Sequence, residues 1–460
     1  MMEEKILNVG YIAVLDTGGD EARAIARRLR AMKTLAVVEN APDAEARFAD
    51  PALLGVIMAG NALAARLESG LIRAALLCGK PLLALGKSAR AVLMALGASP
   101  GETILEKRAA GVRFSACPLF EGVADGERYF ERAEDWTLPD GLLPAAESGE
   151  GWRAGYMSAD GRVFALLFSV ESNDPDGTRM IRNFAENLCA SRGEWTMPAF
   201  LDASVEGLRA RYPNGDVTVG FSGGVPSAVA AALAVRALGE RARCVLLETG
   251  LLRKGEAAAV ATAFEEDTGV APRILDISGQ VRNALSGVRD AQARRQTATR
   301  ELLFAFSGLG GPVILGAGRE EGAFVVPLGQ LFREEIRQLG ALLGLSPALT
   351  VRQPFPASGL AGRVDGEATE EKIRLLREAD SAFCEEIEQA GLDKKLFQYY
   401  VTLAPGANDE SDAILHAIVA SEAGTGYAFR LPYDLIERSV MRILRPLPGI
   451  GSVLYDVTGR

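Results

Sequence analysis

The sequence predicts an α/β protein built from more than one doubly wound sheet. Three observations lead there. The chain has 460 residues, enough for about three domains at roughly 150 residues each. Its composition, 48% hydrophobic and 24% charged, is that of a packed chain and too apolar for a disordered one. Short aliphatic or β-branched runs alternate with helical patterns in two separate stretches, the rhythm of parallel sheets with crossover helices.

In the first stretch the strand candidates are Tyr11 to Leu15, Leu53 to Met58, Pro81 to Leu85 and Val163 to Phe168. Between them Ile25, Leu29 and Met32, and then Val92, Leu93 and Leu96, repeat at helical spacing. A link rich in small and polar residues, Ala190 to Pro198, closes this stretch, and a helix from Ala199 to Tyr212 follows. The second stretch opens with a strand at Val217 to Phe221, the turn Ser222 to Ser227 and an alanine-rich helix, Ala228 to Leu238. Strands at Cys244 to Glu248, Arg273 to Ile277 and Pro312 to Gly316 continue it, and a helix at Gln330 to Leu343 ends it. From Val351 the character changes, because Pro354, Phe355 and Pro356 break regular structure. A smaller third part follows, with a strand near Val453 to Val457. These shifts divide the chain into residues 1–192, 197–350 and 351–460.

Charge and cysteine usage narrow the function classes. With 50 Lys and Arg against 60 Asp and Glu, a net charge of −10, a generally basic surface for nucleic acid is not expected. Cys78, Cys117, Cys189, Cys244 and Cys384 are dispersed and form no CxxC pair, so they read as reduced thiols in a cytoplasmic protein. The first residues lack a signal-peptide layout and no apolar run reaches the length of a membrane span. The single histidine, His416, excludes sites that need two histidines from one subunit.

The turn Ser222-Gly223-Gly224-Val225-Pro226-Ser227 lies between a strand and a helix. Glycines there let main-chain N–H groups converge on an anion, and the helix dipole adds positive potential. Such a turn can instead simply pack helix on sheet. Four further stretches accompany it in order: Glu248 to Glu256 (ETGLLRKGE), Val326 to Gly340 (VPLGQLFREEIRQLG), Arg352 to Arg363 (RQPFPASGLAGR) and Arg430 to Leu444 (RLPYDLIERSVMRIL). Together they resemble the glutamine-hydrolysing GMP synthase family over most of residues 217–460. Leu15 to Arg30, Pro118 to Gly122 and Arg182 to Cys189 are similar, more distantly, to its amidotransferase half.

The resemblance implies three parts: a class I glutamine amidotransferase-like doubly wound domain, an ATP pyrophosphatase domain and a small α+β C-terminal dimerisation domain. It also implies the family reaction, in which a Cys-His-Glu glutaminase releases ammonia. The pyrophosphatase domain adenylylates xanthosine monophosphate with ATP and Mg²⁺, and ammonia then displaces AMP.

At the positions that match the family's site, the residue types depart from that chemistry. The stretch resembling PVLGICYGMQ is Pro81 to Arg90, and Gly86 stands where the nucleophilic thiol belongs. Glycine has no side chain with which to attack an amide. Cys78 precedes Pro81 and the strand and is not placed to substitute. The stretch resembling QFHPE is Leu167 to Glu171, in which Ser169 replaces the histidine base while Glu171 remains. The oxyanion turn matches Ala59-Gly60-Asn61-Ala62. His416 replaces a family arginine in an apolar stretch and reads as a structural or interfacial histidine.

In the synthetase half, Ser222, Gly223, Gly224, Val225, Ser227 and Glu248 are the expected ATP-binding residues. Pro226 occupies the position of the family's metal-associated aspartate, and no metal ligand is assigned. Glu248 offers a carboxylate where the family has an aspartate after the second strand. The family's basic lid is replaced by Ala317 to Phe324, its arginine-bearing loop by Ala404 to Asp409, and its phosphate-gripping tail has no counterpart after Tyr455 to Arg460. Arg352, Gln353 and Arg363 are candidates for the acceptor nucleotide, or equally for packing between domains.

The resulting expectation is a GMP synthase homologue that lacks glutaminase and has lost most or all GMP formation. It would bind a nucleotide and pair with itself, a true synthase or another protein, without nucleic acid or membrane. Two alternatives stay open: an adenylylating ligase with another acceptor, and a working GMP synthase with unfamiliar site residues.

Overall fold

The computed structural model describes residues 9–18, 21–40, 44–60, 69–170, 175–355, 358–420 and 426–458. They fall into two compact units divided between Phe200 and Leu201.

The first unit runs β1 (Tyr11–Asp16), α1 (Glu21–Ala31), β2 (Leu35–Asn40), β3 (Leu53–Ala59), α2 (Ser69–Leu77), β4 (Leu82–Leu85) and α3 (Lys87–Ala95). It continues with β5 (Ser99–Phe114), β6 (Gly126–Thr137), β7 (Leu142–Ser148), β8 (Arg153–Ser158), β9 (Val163–Leu166) and α4 (Pro175–Asn183). All nine strands form one sheet in the order β2-β1-β3-β4-β9-β8-β7-β5-β6. The first five are parallel to their neighbours, and from β9 onward every pairing is antiparallel. Strands β1, β3 and β4 are almost continuously apolar and buried, as parallel strands covered on both faces must be. The strand order reverses between β1 and β3, and such a switch point leaves a crevice at the carboxyl ends of the strands.

Several expected boundaries move. Pro81, Leu167 and Phe168 lie outside their strands, and Met32 and Leu96 just past their helices. The link ends earlier than expected, because α5 (Met197–Arg211) already includes Met197 and Pro198. Strands β2 and β5 to β8 were not anticipated. In β5 most side chains are exposed, so no apolar alternation marks it. In β6 the inward set includes Arg128 and Glu134, both buried, beside Phe130 and Trp136.

The second unit has β10 (Val217–Gly220), α6 (Val225–Leu238), β11 (Ala242–Glu248), α7 (Glu256–Thr268), β12 (Arg273–Asp276), α8 (Ser278–Leu285) and α9 (Ala291–Ser307). Strands β13 (Val313–Leu315) and β14 (Phe324–Val325) and helices α10 (Arg333–Leu342) and α11 (Pro347–Thr350) follow. The sheet is parallel throughout, in the order β12-β11-β10-β13-β14. Its switch point lies between β10 and β13, which puts the Ser222 to Ser227 turn at the crevice. Helix α6 touches β10, β11 and β13 on one side and α7, α10 and α11 on others. That explains why its alanines are buried nearly all round.

The remainder consists of α12 (Glu370–Gln389), β15 (Gln398–Pro405), β16 (Ser411–Ala420), β17 (Gly426–Ala428), α13 (Tyr433–Leu444) and β18 (Ile450–Tyr455). Strand β16 pairs antiparallel with β15 and β17 and parallel with β18. Helix α12 packs on β15, β16 and α13. One apolar core joins Leu251, Val281 and Leu285 to Leu376, Phe383, Val401, Leu415 and Ile443, so this part shares its interior with α8 and the loop after β11.

Candidate functional site

In the first unit, β4 delivers Gly86 into a sharp turn before α3. Its dihedrals, φ 53° and ψ −119°, belong to a region that side-chain-bearing residues rarely enter. The Gly86 amide donates to the Leu166 carbonyl at 2.9 Å, and the Ser169 amide donates to the Tyr129 carbonyl at 3.0 Å. Because β4 and β9 are parallel neighbours, Gly86 and Ser169 emerge at the same end of the sheet. The structure therefore brings these two positions together. Glu171, Asn61 and Ala62 lie outside the described residues. Gly60, with φ +128°, is packed so closely that an added Cβ would meet the Gly18 carbonyl oxygen at 2.6 Å.

No described cysteine substitutes at this turn. Cys78 follows α2 and donates from Sγ to the Ala75 carbonyl at 3.0 Å, at the opposite end of β4 from Gly86. Cys117 and Cys189 lie elsewhere in this unit, and burial pushes both thiols up. The first turns of α3 are tied to β6 by charge: Lys87 faces Glu131 at 3.7 Å, and Arg90 faces Glu134 at 2.7 Å.

In the second unit the turn after β10 is held by its own hydroxyls. Ser227 Oγ accepts from the Ser222 amide at 3.1 Å and donates to the Gly224 carbonyl at 2.8 Å, while Ser222 Oγ donates to Ser227 Oγ at 3.0 Å. Gly223 has φ +76°, and a Cβ there would meet Val260 at 2.9 Å. Pro226 lies in the first turn of α6, where its missing N–H deprives no intrahelical hydrogen bond. The first N–H groups of a helix have no acceptor within the helix itself.

Glu248 ends β11, but its Oε1 accepts from the Gly250 amide at 2.8 Å, so the carboxylate turns back on its own loop. Among the described residues no group of three His, Cys, Asp or Glu side chains gathers to hold a metal. The donor set fits the phosphates of ATP. For Mg²⁺ it offers Glu248 as a single carboxylate, with nucleotide oxygens and water left to complete the shell.

The residues after Val351 close over this region. Arg352 donates from Nη1 to the Gly223 carbonyl and from Nη2 to Glu256 Oε1. Gln353 Oε1 accepts from the Tyr399 amide at 2.9 Å, so it braces β15. Arg363 is buried in a short 3-10 turn, Gly359–Arg363. Arg294, itself buried in α9, holds that turn by donating to the carbonyls of Ala361, Val364 and Gly366.

Comparison with known proteins covers nearly the whole chain. The NAD synthase family profile matches residues 198–399. A curated protein of Mesorhizobium japonicum named GMP synthase [glutamine-hydrolyzing] is 30% identical over 509 residues, covering 98% of this chain and 97% of its own. The chain belongs to the glutamine-hydrolysing GMP synthase family. Relatives of the same name from Rhodopseudomonas palustris, at 30% identity, and Treponema denticola, at 27%, each cover 98% of this chain, and 94% and 95% of their own.

Within this GMP synthase frame, the first unit is amidotransferase-like and the parallel sheet of the second is ATP pyrophosphatase-like. The segment expected in place of the basic lid is a short crossing from β13 to β14, with a single bridge between Glu321 and Phe324. In the Ala404 to Asp409 segment, Ala404 and Pro405 end β15, and the rest is a tight turn to β16 closed by the Gly406 amide on the Glu410 carbonyl at 3.0 Å.

His416 proves to be an internal hydrogen-bonding residue. Its Nε2 lies 2.9 Å from Thr402 Oγ1 and its Nδ1 3.2 Å from Asp456 Oδ2, and its ring stacks on Tyr400 at 4.6 Å. Two charged residues escaped the sequence reading. Arg253 Nε faces Asp380 Oδ2 at 3.2 Å, and Arg363 Nη1 donates to Asp380 Oδ1 at 3.1 Å. Arg253 stood within the matched ETGLLRKGE stretch and could have been singled out. Asp380 sits mid-helix among other acidic residues, with nothing local to mark it.

Proposed function

We propose that this chain is a nucleotide-binding member of the GMP synthase family that does not hydrolyse glutamine and has lost most or all GMP formation, acting in regulation. Gly86 carries this reading. It occupies a sharp, strand-anchored turn of the kind that presents a nucleophile, yet offers no atom that could form the covalent intermediate. Ser169, at the same end of the sheet, has no imidazole with which to serve as base.

The nucleotide would be ATP, its phosphates on the N–H groups of the Ser222 to Ser227 turn and its Mg²⁺ weakly supported by Glu248. We divide the chain into an amidotransferase-like part, 1–192, a pyrophosphatase-like part, 197–350, and a C-terminal part, 351–460, through which two copies would pair in the cytoplasm. A second reading, an adenylylating ligase for another acceptor, is favoured by one observation: the paired Ser222 and Ser227 hydroxyls keep the loop ordered for a phosphate.

Two assays test these readings. Glutamine is expected to yield no ammonia above a no-enzyme control, whereas titration calorimetry with ATP and Mg²⁺ is expected to show saturable heat. Turnover of glutamine at a normal glutaminase pace would overturn the first reading, and absence of heat from ATP would overturn both. Pyrophosphate release with any panel of carboxylate or purine acceptors would favour the ligase.

A further inference from the structure

The crossing from β13 to β14 starts against the phosphate turn. Gly316, just past β13, packs so closely that an added Cβ would collide with the Pro226 carbonyl and the Ser227 amide. Strands β10 and β13 are parallel neighbours, so the segment after Gly316 leaves at the same end of the sheet as Ser222. Both segments are open to solvent: Ser222 and Gly224 on one, and Ala317, Gly318 and Arg319 on the other, are exposed. An added Cβ at Gly224 would meet only Ser222 Oγ, at 3.7 Å, and one at Gly318 would meet nothing within 4 Å. The surface in front of the turn is therefore uncovered, and Arg319 stands three residues from the Gly316 contact, at most about 11 Å along the chain.

A nucleotide polyphosphate carries several negative charges, and its site offsets them with a metal ion or with guanidinium groups. Carboxylates to hold a metal ion are scarce here. Pro226 has none, Glu248 accepts from the Gly250 amide at 2.8 Å, and Glu256 is taken by Arg352. The cations of the loop after β11 are committed as well, Arg253 to Asp380 and Lys254 to Glu378. Arg319 differs, because among the described residues it has no carboxylate partner. Its neighbour Glu320 is held by Arg211 at 2.9 Å, and Glu321 lies toward β14, in a bridge with Phe324. An exposed, unpaired guanidinium thus stands beside a turn that lacks metal ligands.

We propose that the Ser222 to Ser227 turn takes its nucleotide free of metal, with the Arg319 guanidinium supplying the positive charge at the phosphates that Mg²⁺ would otherwise supply. The planar fork of an arginine can donate to two phosphoryl oxygens at once, and its charge needs no carboxylate ligands to hold it in place. Arg319 is then a specificity-determining residue, favouring a free nucleoside polyphosphate over its magnesium complex. The inference rests on the nucleotide-binding reading and adds to it the charge state of the nucleotide that is bound.

The test titrates ATP into the full chain by calorimetry, once in EDTA and once with Mg²⁺ in excess. Saturable heat in EDTA is expected, with Mg²⁺ leaving the affinity unchanged or lower. Arg319→Gln, a change on an exposed crossing, is expected to weaken ATP in EDTA at least about tenfold, the scale of one charge-assisted hydrogen bond. Arg319→Lys, which keeps the charge and loses the fork, is expected to fall between the two. Arg236→Gln makes the same change in net charge near the other end of α6, where Arg236 is exposed, and is expected to leave the affinity as it was. ATP binding that is tighter with Mg²⁺ than in EDTA, an affinity unmoved by Arg319→Gln, or an equal loss in Arg236→Gln overturns the proposal and leaves nucleotide binding standing. No heat from ATP in either condition overturns the nucleotide-binding reading and this proposal with it.

Discussion

The Gly86 amide donates to the Leu166 carbonyl at 2.9 Å, which fastens the turn after β4 to the strand that leads into Ser169. The turn is thus a property of the sheet and does not depend on which side chain it carries. An added Cβ at Gly86 would meet nothing within 4 Å. Gly86→Cys is therefore expected to fold, at a cost of about 1–2 kcal/mol for a side chain at φ 53°, measurable by urea unfolding. The single variant should release no ammonia from glutamine, because Ser169 supplies no base. Ammonia release from Gly86→Cys alone would show that another group activates the thiol.

Pro226 is the second position where chemistry and fold separate. Its ring fits the first turn of α6, so the helix does not need an aspartate there. Pro226→Asp would restore an N–H donor and place a carboxylate beside the nucleotide phosphates. Its charge would also gain about 0.3–1 kcal/mol from the helix dipole. Mg²⁺-dependent ATP affinity is expected to rise about tenfold, read by calorimetry with and without Mg²⁺. An unchanged affinity would mean that the metal is bound by nucleotide and water alone.

Most parallel strands of both sheets were legible because buried parallel strands such as Tyr11–Asp16 and Val217–Gly220 are compact apolar runs next to turn residues. The antiparallel extension was not, for the opposite reason. Strand β5 buries little beyond Leu105 and Val112, and β6 turns Arg128 and Glu134 inward. The site was read from residue types at matched positions, Gly86 and the Ser222 turn among them. It could not reveal that Asp380 serves two arginines, because those contacts join segments distant in sequence, nor that Glu248 folds back on the Gly250 amide, a local contact set by the backbone of the turn.

Ser227 organises the phosphate turn from within, through the Ser222 amide, the Ser222 hydroxyl and the Gly224 carbonyl. Ser227→Ala removes all three contacts while keeping the helix. A loss of about 1–2 kcal/mol in urea unfolding is expected, together with loss of the ATP heat. Retained ATP heat in this variant would place the nucleotide elsewhere.

Arg352 links the same turn to Glu256, donating to the Gly223 carbonyl and to the carboxylate. Glu256 is 8% exposed, so Arg352→Ala would strand a nearly buried negative charge. Its side chain is itself about a quarter open to solvent (26%), which lowers the expected cost from that of a fully buried pair to about 1–3 kcal/mol. Combining it with Glu256→Gln should recover part of the loss, since the stranded charge is then removed. A double variant no more stable than Arg352→Ala would show that packing, rather than charge, is what Arg352 contributes.

His416 makes stability depend on pH near neutrality. Burial holds its imidazolium below the ordinary value of 6.5, outweighing the upward pull of Asp456, and Arg363 adds to the lowering. The unfolded chain therefore takes up the proton at a higher pH than the folded one. Between those two values the unfolded state binds more protons, and stability falls as pH falls. Tyr400 and Thr402, which pack on the ring, stay neutral in this range, so the transition belongs to the histidine and its two charged neighbours. The thermal midpoint should decline from about pH 7 to about pH 5, and His416→Gln should flatten that decline while keeping hydrogen-bonding capacity toward Thr402 and Asp456. An equally steep decline in His416→Gln would assign it to carboxylates elsewhere in the chain.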